Sequence, residues 1–504
     1  MSRYKSNLFA NFAGAGSAAL LQLVFIPFYV RFLGIEAYGL IGFQVMLLSV
    51  SQLLDLGLGP TMNREMARYS VSPGNAGEAR DFARTLEILY WALGVAAGAA
   101  IVSAAPLIAA RWVNIGTLPL PTVSRALALM GVLVSLQFPM AFYQGGLMGL
   151  QRQVLFNAVR VLMSALSSGG AVLVLWLFSP TITAFFAWQA AVAALQAAVL
   201  CRSLWICIPR AAGRPRFSPG LLGNSWRFAA GMSGIAVCSI VLTQMDKVLL
   251  SKLLPLKTFG YYTLATVAAN GLLVLIQPVF NATFPRLSAM VAARDGEEVR
   301  NLYHRASQLI AALVLPAAAV LSLFPEEALF AWTGDAEAAR AAAPIARFLV
   351  LGTALNGILT VPYALQLAHG WTKLALLLSV FLIVTMAPAI YAATLRYGAV
   401  GAASIWLLLN LVNLAVAVPL THGKLLPGDT RRWLLADIAL PLGASALVVG
   451  IARGLFAGYP ASRLAAALGL AGLLAVALAL STAATPVLRT WMREQWEECR
   501  KLHA

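Results

Sequence analysis

Apolar runs of roughly 18 or more residues recur along the whole chain, each long enough to cross a hydrocarbon core about 30 Å thick. The first runs from about Asn7 to Val30, behind Arg3 and Lys5. It is too long for the apolar part of a signal peptide and lacks a convincing small-x-small cleavage site, so it reads as an uncleaved first helix. Five runs follow at about 37–60, 82–110, 123–149, 153–178 and 181–206. A second set lies at about 225–254, 258–284, 305–324, 343–368, 373–395 and 399–420, and two more at about 433–453 and 462–486. In lipid such runs must be helices, because backbone N–H and C=O groups find no water there. The pattern predicts an all-α integral membrane protein with fourteen transmembrane helices.

The two sets of six echo one another. Val30-Arg-Phe-Leu-Gly-Ile-Glu-Ala-Tyr-Gly-Leu40 aligns with Ser251-Lys-Leu-Leu-Pro-Leu-Lys-Thr-Phe-Gly-Tyr261, matching Arg31 with Lys252, Leu33 with Leu254, Tyr38 with Phe259 and Gly39 with Gly260. The echo continues in order. Thr61-Met-Asn-Arg64 answers Thr283-Phe-Pro-Arg286, Trp112 answers Trp332, Gln144 answers Gln366, and Gly149-Leu-Gln-Arg152 answers Gly370-Trp-Thr-Lys373. The offset stays between 220 and 222 throughout. This predicts two pseudo-symmetric six-helix lobes, 1–206 and 225–422, joined by a basic cytoplasmic linker, 207–224. Residues 423–504 then hold two additional C-terminal helices and a tail. Duplications of this size in an apolar chain belong to transporters.

Composition agrees. Of 504 residues 60% are hydrophobic and 11% charged, with mean hydropathy +0.81, against about 25% charged in soluble domains. A soluble fold is excluded. A net charge of +17 would suggest nucleic acid in a soluble protein; here its distribution reports topology, and no nucleic-acid partner is expected. With the N-terminus inside, roughly twice as many Lys and Arg fall on the cytoplasmic side as on the other. The outer loop 325–342 carries Glu326, Glu327, Asp335 and Glu337 instead. Both termini are then cytoplasmic. The tail from Arg489 to Ala504, with Trp491 and Trp496 among charges, reads as interfacial. Cys201, Cys207, Cys238 and Cys499 suggest no disulfide, metal site or nucleophile. His304, His369, His422 and His503 show no ligand spacing and read as solvated loop or tail residues.

Polar side chains inside the spans carry the functional signal. In the first helix Asn7, Asn11, Gln22 and Tyr29 lie near one stripe. Gln44, Ser51 and Asp55 share a face of the second, and Asn270, Gln277 and Asn281 repeat that spacing in the eighth. The fifth carries Asn157, Arg160, Ser164 and Ser167, the seventh Gln244, Lys247 and Ser251. Such stripes face one another or a wet cavity. Hydrogen-bonded glue between helices, worth about 0.6–2 kcal/mol each, is the simpler account of any single Asn, Gln or Ser. A charge near the bilayer centre costs roughly 2.5–3.5 kcal/mol, less where a long side chain snorkels. Arg160 and Lys247 are therefore the leading cavity candidates. Asp55 either pairs with a nearby arginine or serves as a gate or protonation site. Arg64 and Arg286 are related by the repeat; they are topological anchors, or a pair that receives an anionic headgroup by bidentate bonds.

At these residues the chain resembles a known group. Asp55-Leu-Gly-Leu58 with Arg64, the run Gln244-Met-Asp-Lys-Val-Leu-Leu-Ser-Lys252 leading to Phe259-Gly-Tyr-Tyr-Thr-Leu-Ala265, and Phe284-Pro-Arg-Leu-Ser288 are similar to polysaccharide transporters of the multidrug/oligosaccharidyl-lipid/polysaccharide (MOP) exporter superfamily, in particular Wzx-type O-antigen flippases. The resemblance covers about residues 1–422. It implies a MATE/MOP-like fold in the bacterial inner membrane, with a cationic central cavity that opens alternately to each side. The implied cargo is an undecaprenyl-pyrophosphate-linked oligosaccharide, an O-antigen or exopolysaccharide repeat unit. Membrane lipids and other assembly proteins, a polymerase or chain-length regulator, are the further partners. On this reading the headgroup set is Arg31, Arg64, Arg160, Lys247, Lys252, Arg286, Asn11, Gln22, Asn157, Asn270 and Gln277. No cofactor is implied; proton or sodium coupling would fall to Asp55 and Asp246. The two additional helices depart from the twelve usual for Wzx and match the fourteen of lipid II flippases.

The cargo explains the residue types. Sugar hydroxyls cannot cross hydrocarbon unpaired, and a diphosphate needs Arg or Lys. A drug or cation exporter would want acids deep in a lobe, which are few here. A membrane glycosyltransferase or polymerase would want catalytic groups on a sizeable outer loop, and the duplication has no part in such a scheme.

Overall fold

The computed structural model describes residues 2–70, 75–211, 213–455, 462–486 and 489. Among them there is no β-strand. The helices in order are α1 (Ser2–Ser51), α2 (Leu58–Ser70), α3 (Ala76–Arg111), α4 (Leu120–Gln137), α5 (Met140–Gly149), α6 (Gln153–Leu177), α7 (Ile182–Cys207) and α8 (Gly220–Leu253). They continue with α9 (Leu256–Asn270), α10 (Leu273–Ala292), α11 (Gly296–Leu323), α12 (Pro325–Thr333), α13 (Ala336–Ala368) and α14 (Thr372–Leu425). The last are α15 (Thr430–Leu455), which contains a π-helical turn, and α16 (Arg463–Ala484). By packing, the chain divides into two units, Met1–Gly260 and Tyr261–Ala504.

Ten helical segments among the described residues are long and apolar enough to cross a membrane, or eleven with α9 and α10, bent by 42°, taken as one span. Fourteen were expected, and glycine accounts for much of the difference. The first two expected spans run as the single helix α1, interrupted only at Gly34 with φ 78°. The expected pair 373–395 and 399–420 runs as α14, interrupted at Gly398 with φ 60°. Both are backbone conformations that residues with a Cβ adopt at a cost. The expected span 37–60 also stops early. A 3-10 turn at Gln52–Asp55 and left-handed residues Leu56 and Gly57 end it, and α2 restarts with Pro60 in its first turn, where a missing N–H costs nothing. The second unit also breaks, between α9 and α10 at residues 271–272. The expected interfacial tail lies, apart from Arg489, outside the described residues.

In the first unit α3 and α4 form a hairpin, α1 packs along α6, and α2 along α5. Met62, Met66, Phe82, Leu86, Tyr90, Phe142 and Leu204 belong to its buried core. The connection after α3 works as a clamp. Glu36 accepts hydrogen bonds from the N–H groups of Gly116 and Thr117 at 2.7 and 3.0 Å. Asn114 donates to the Lys252 carbonyl at 2.8 Å and accepts from the Leu256 N–H at 2.8 Å, and Trp112 donates to Ser251 at 3.0 Å. The clamp therefore ties the stretch 30–40 to the stretch 251–256. The two stretches matched by sequence also meet directly: a Cβ on Gly260 would lie 2.2 Å from the Ile35 carbonyl oxygen, and one on Gly39 2.6 Å from that of Leu256.

In the second unit α11 is buried along most of its length among α10, α13, α15 and α16. The two additional helices dock on it. Val449, Ala452 and Ala477 join Val320 and Phe324 in one apolar cluster. The acids expected on an outer loop sit instead around the short helix α12, and each is engaged. Glu326 pairs with Arg340 at 3.3 Å, Glu327 with Arg453 at 2.5 Å, Asp335 caps α13 through the Ala338 N–H, and Glu337 accepts from Tyr261.

Candidate functional site

The candidate site of the first unit is built on α6, a helix with two exposed faces of opposite character. Leu155, Leu162, Leu173 and Trp176 are exposed on one side. At 3.6 residues per turn Arg160 projects roughly half a turn away from all four, and it too is exposed. Asn157, Ser164 and Ser167 flank it on the same side. Asn157 is buried and donates to the Gln153 carbonyl at 2.9 Å; Ser167 donates to Gln189 at 2.6 Å. An exposed guanidinium opposite a lipid-type face, flanked on one side by hydrogen-bonding groups, belongs to a wet surface. Tyr29 of α1 fixes that surface by donating to the Ser168 carbonyl at 3.0 Å. Gln22 is exposed on α1, as is Arg31, but Arg31 shares its side of the helix with the exposed Val24 and Phe28. The side chain of Asn11 lies outside the described residues.

The remaining candidates of the first unit are placed differently from one another. Asp55 meets no arginine of the kind expected. Its carboxylate accepts a short hydrogen bond from the Tyr90 hydroxyl and a longer one, 3.5 Å, from the Gly59 N–H at the start of α2. Arg64 is half exposed and lies 4.0 Å from the Glu65 carboxylate. Asp246 and Lys247 pair with each other at 3.0 Å, and Lys247 also donates to the Thr243 carbonyl at 2.7 Å. Lys252 lies over the Trp112 ring at 5.4 Å and donates to the Arg111 carbonyl, so it is part of the clamp.

In the second unit Gln277 and Asn281 are exposed on one side of α10 and Asn270 is exposed at the end of α9, while Arg286, also exposed, lies about half a turn from Gln277. Gln44 and Ser51, which carry the same spacing in the second expected span, are buried instead.

Two buried polar centres were not foreseen. In the first unit Glu87 of α3 accepts from Tyr143 at 3.0 Å and Trp205 at 3.1 Å and pairs with Arg84 at 2.9 Å. In the second, His304 and His422 are 1% and 0% exposed rather than solvated. His304 Nδ1 meets Asp437 at 2.5 Å, Gln308 donates to the other Asp437 oxygen at 2.8 Å, and Asp429 pairs with Arg300 at 2.7 Å. Tyr303 hydrogen-bonds His422 Nε2 at 2.7 Å. Asp437 lies in the π-helical turn Trp433–Ala439. The signal available in the sequence was an aspartate in an apolar run, which demands partners.

Residues 5–291 match the family described as "Polysaccharide biosynthesis protein", and residues 233–392 the family described as "MatE". Among curated proteins nothing matches. Solved structures share the fold at low identity. A lipid II flippase, MurJ, in an inward closed conformation is similar over 95% of this chain and 98% of its own, with TM-score 0.67 and 11% identity. An inward-facing multidrug resistance MATE family transporter of the MOP superfamily covers 81% of this chain and 95% of its own, with TM-score 0.61 and 15% identity. A MOP superfamily transporter from Pyrococcus furiosus, whose binding pocket is described as having reverse polarity, covers 84% and 96%, with TM-score 0.53 and 17% identity.

Proposed function

This chain is a multipass membrane protein of the polysaccharide biosynthesis protein family, and from that premise we propose that it is a flippase for an undecaprenyl-pyrophosphate-linked oligosaccharide. The cargo moves from the cytoplasmic to the periplasmic leaflet by alternating access. The observation that carries this reading is the exposed Arg160, set opposite the lipid-type face of α6 among hydrogen-bonding side chains. A sugar chain needs a surface of that kind, since each unpaired polar group in hydrocarbon costs several kcal/mol. A diphosphate needs a forked, permanently charged donor. The exposed amides of α9 and α10 supply a second polar surface of the same type.

Within the superfamily a lipid II flippase is the second reading. A lipid II flippase structure covers 95% of this chain, too much to omit both α15 and α16, where the MATE transporter covers 81%. That difference favours a lipid-linked cargo over a drug.

The test reconstitutes the full chain in vesicles containing a polyprenyl-diphosphate oligosaccharide and follows exposure of its sugar to an impermeant lectin. Arg160→Ala is expected to slow transfer about tenfold, the loss of one charge-assisted hydrogen bond, with Arg160→Lys intermediate and Leu162→Ala unchanged. Transfer no faster than in protein-free vesicles would end the flippase reading. Equal rates in Arg160→Ala and the parent would take Arg160 out of the site.

A further inference from the structure

One groove of the first unit borders the Glu87 centre and contains none of the proposed cargo-binding residues. Along α3 and α7 two cavities lie one helical turn apart. The deeper, about 560 Å³, is lined by Ile88, Trp91, Leu136, Ala194, Ala197 and Ala198, with Arg84, Glu87, Tyr143 and Cys201 towards one end. The other, about 340 Å³, lies at the N-terminal end of α3 and the C-terminal end of α7, between Arg80, Trp205, Ile206, Arg210 and Ala211. Arg80 and Arg84 are one turn apart on α3, and so are Cys201 and Trp205 on α7, so the cavities succeed one another along the same two helices.

The slot changes character along its length. Its deeper part is walled by aliphatic and aromatic side chains, and the small side chains of Ala194, Ala197 and Ala198 leave the space. Glu87 there is already satisfied by Arg84, Tyr143 and Trp205. The end part is cationic. The Arg80 guanidinium lies over the Trp205 ring at 5.3 Å, donates to the Pro209 carbonyl at 3.4 Å, and keeps a buried Nε with no hydrogen-bond partner. Arg210 projects from the linker and is exposed. The linker is held in place by bonds from the Arg216 N–H to Asp81 at 2.6 Å and from the Ser218 N–H to Thr85 at 2.9 Å. The first of these also occupies a carboxylate oxygen of the acid next to Arg80. From Arg80 to Trp91 the slot spans about 16 Å at ~1.5 Å per residue, half of a hydrocarbon core of about 30 Å. That is the depth of one leaflet.

We propose that this groove binds one anionic phospholipid, with its phosphate between Arg80 and Arg210 and one acyl chain in the slot beneath. A guanidinium held over an indole with its Nε donor unpartnered is suited to phosphate oxygens. A free anion would have no use for the apolar continuation, whereas an acyl chain fills it. The bound lipid would brace α3 against α7 and the linker against both.

The test counts lipids retained by the full chain in native mass spectrometry, from detergent micelles doped with phosphatidylglycerol or with phosphatidylcholine. One phosphatidylglycerol is expected to be held in preference to phosphatidylcholine. Its retention should fall about tenfold in Arg80→Gln and in Arg210→Gln, and should be unchanged in Arg125→Gln, an exposed arginine at the far end of the α3–α4 hairpin. Ala198→Phe, which fills the slot, should also lose the lipid. Arg210 and Ala198 are both exposed, so these variants report even if Arg80→Gln does not fold. Undiminished retention in Arg210→Gln, or equal retention of the two lipids, would overturn the proposal. Survival of binding in Ala198→Phe, or displacement of the lipid by millimolar inorganic phosphate, would assign the site to a phosphate group alone and remove the acyl slot.

Discussion

Asp437→Ala is expected to destabilise the protein by roughly 2–6 kcal/mol, about 1–3 kcal/mol for each of the two buried groups left without their acceptor. Asp437 is 0% exposed and is the common acceptor for His304 and Gln308. The π-helical turn that contains it also places Trp433, whose indole donates to Ser307 at 3.1 Å. Alanine would strand a histidine and an amide inside the packing of α11, with the carboxylate of Asp429 3.7 Å from the other nitrogen of His304. Water cannot relieve them without opening the joint between α11 and α15. Asp437→Asn keeps the shape and one acceptor oxygen, so it should lose markedly less. Thermal unfolding of the full chain in detergent measures both. An alanine variant as stable as the asparagine variant would mean that the network does not hold α15 to α11.

The joint also shows which parts of the molecule could be read in advance. The apolar runs were legible because lipid imposes helix and length on any segment that crosses it. The side to which α6 turns Arg160 was legible for the same kind of reason: spacings of three, four and three residues place Asn157, Arg160, Ser164 and Ser167 on one stripe whatever surrounds them. The histidine network was not, because His304, His422, Asp429 and Asp437 are scattered in the chain and meet only when α14 and α15 fold against α11. Helix breaks were harder still. Nothing in the run from 37 to 60 distinguishes a glycine that a helix tolerates from one at which it turns, and that choice is made by what packs on either side. Lys247 illustrates what a stripe leaves out. Its stripe pointed to a cavity, yet its immediate neighbour Asp246 is the carboxylate that meets it, and periodicity cannot describe a pair of adjacent residues.

Gly260→Val is expected to cost up to about 3 kcal/mol, the upper part of the range for overpacking a closed contact. Replacing an interior helical glycine by a residue with a Cβ normally favours the helix by roughly 0.5–1 kcal/mol through the unfolded chain. Here packing decides the sign. The added Cβ would sit 2.2 Å from the Ile35 carbonyl oxygen, a backbone atom with no rotamer to escape into, and the reciprocal position on Gly39 is 2.6 Å from the Leu256 carbonyl oxygen. The clamp through Asn114 and Glu36 resists any widening, because its hydrogen bonds fix both stretches to the same connection. Gly39→Ala and Gly260→Ala should therefore each destabilise by about 1 kcal/mol or more. Their double variant should lose less than the sum, since one displacement of the facing backbones accommodates both methyl groups. Thermal unfolding of the four proteins closes the cycle. Additive losses would show that the two glycines are felt separately, and an unchanged Gly260→Ala would show that the stretches matched by the repeat are not pressed together at all.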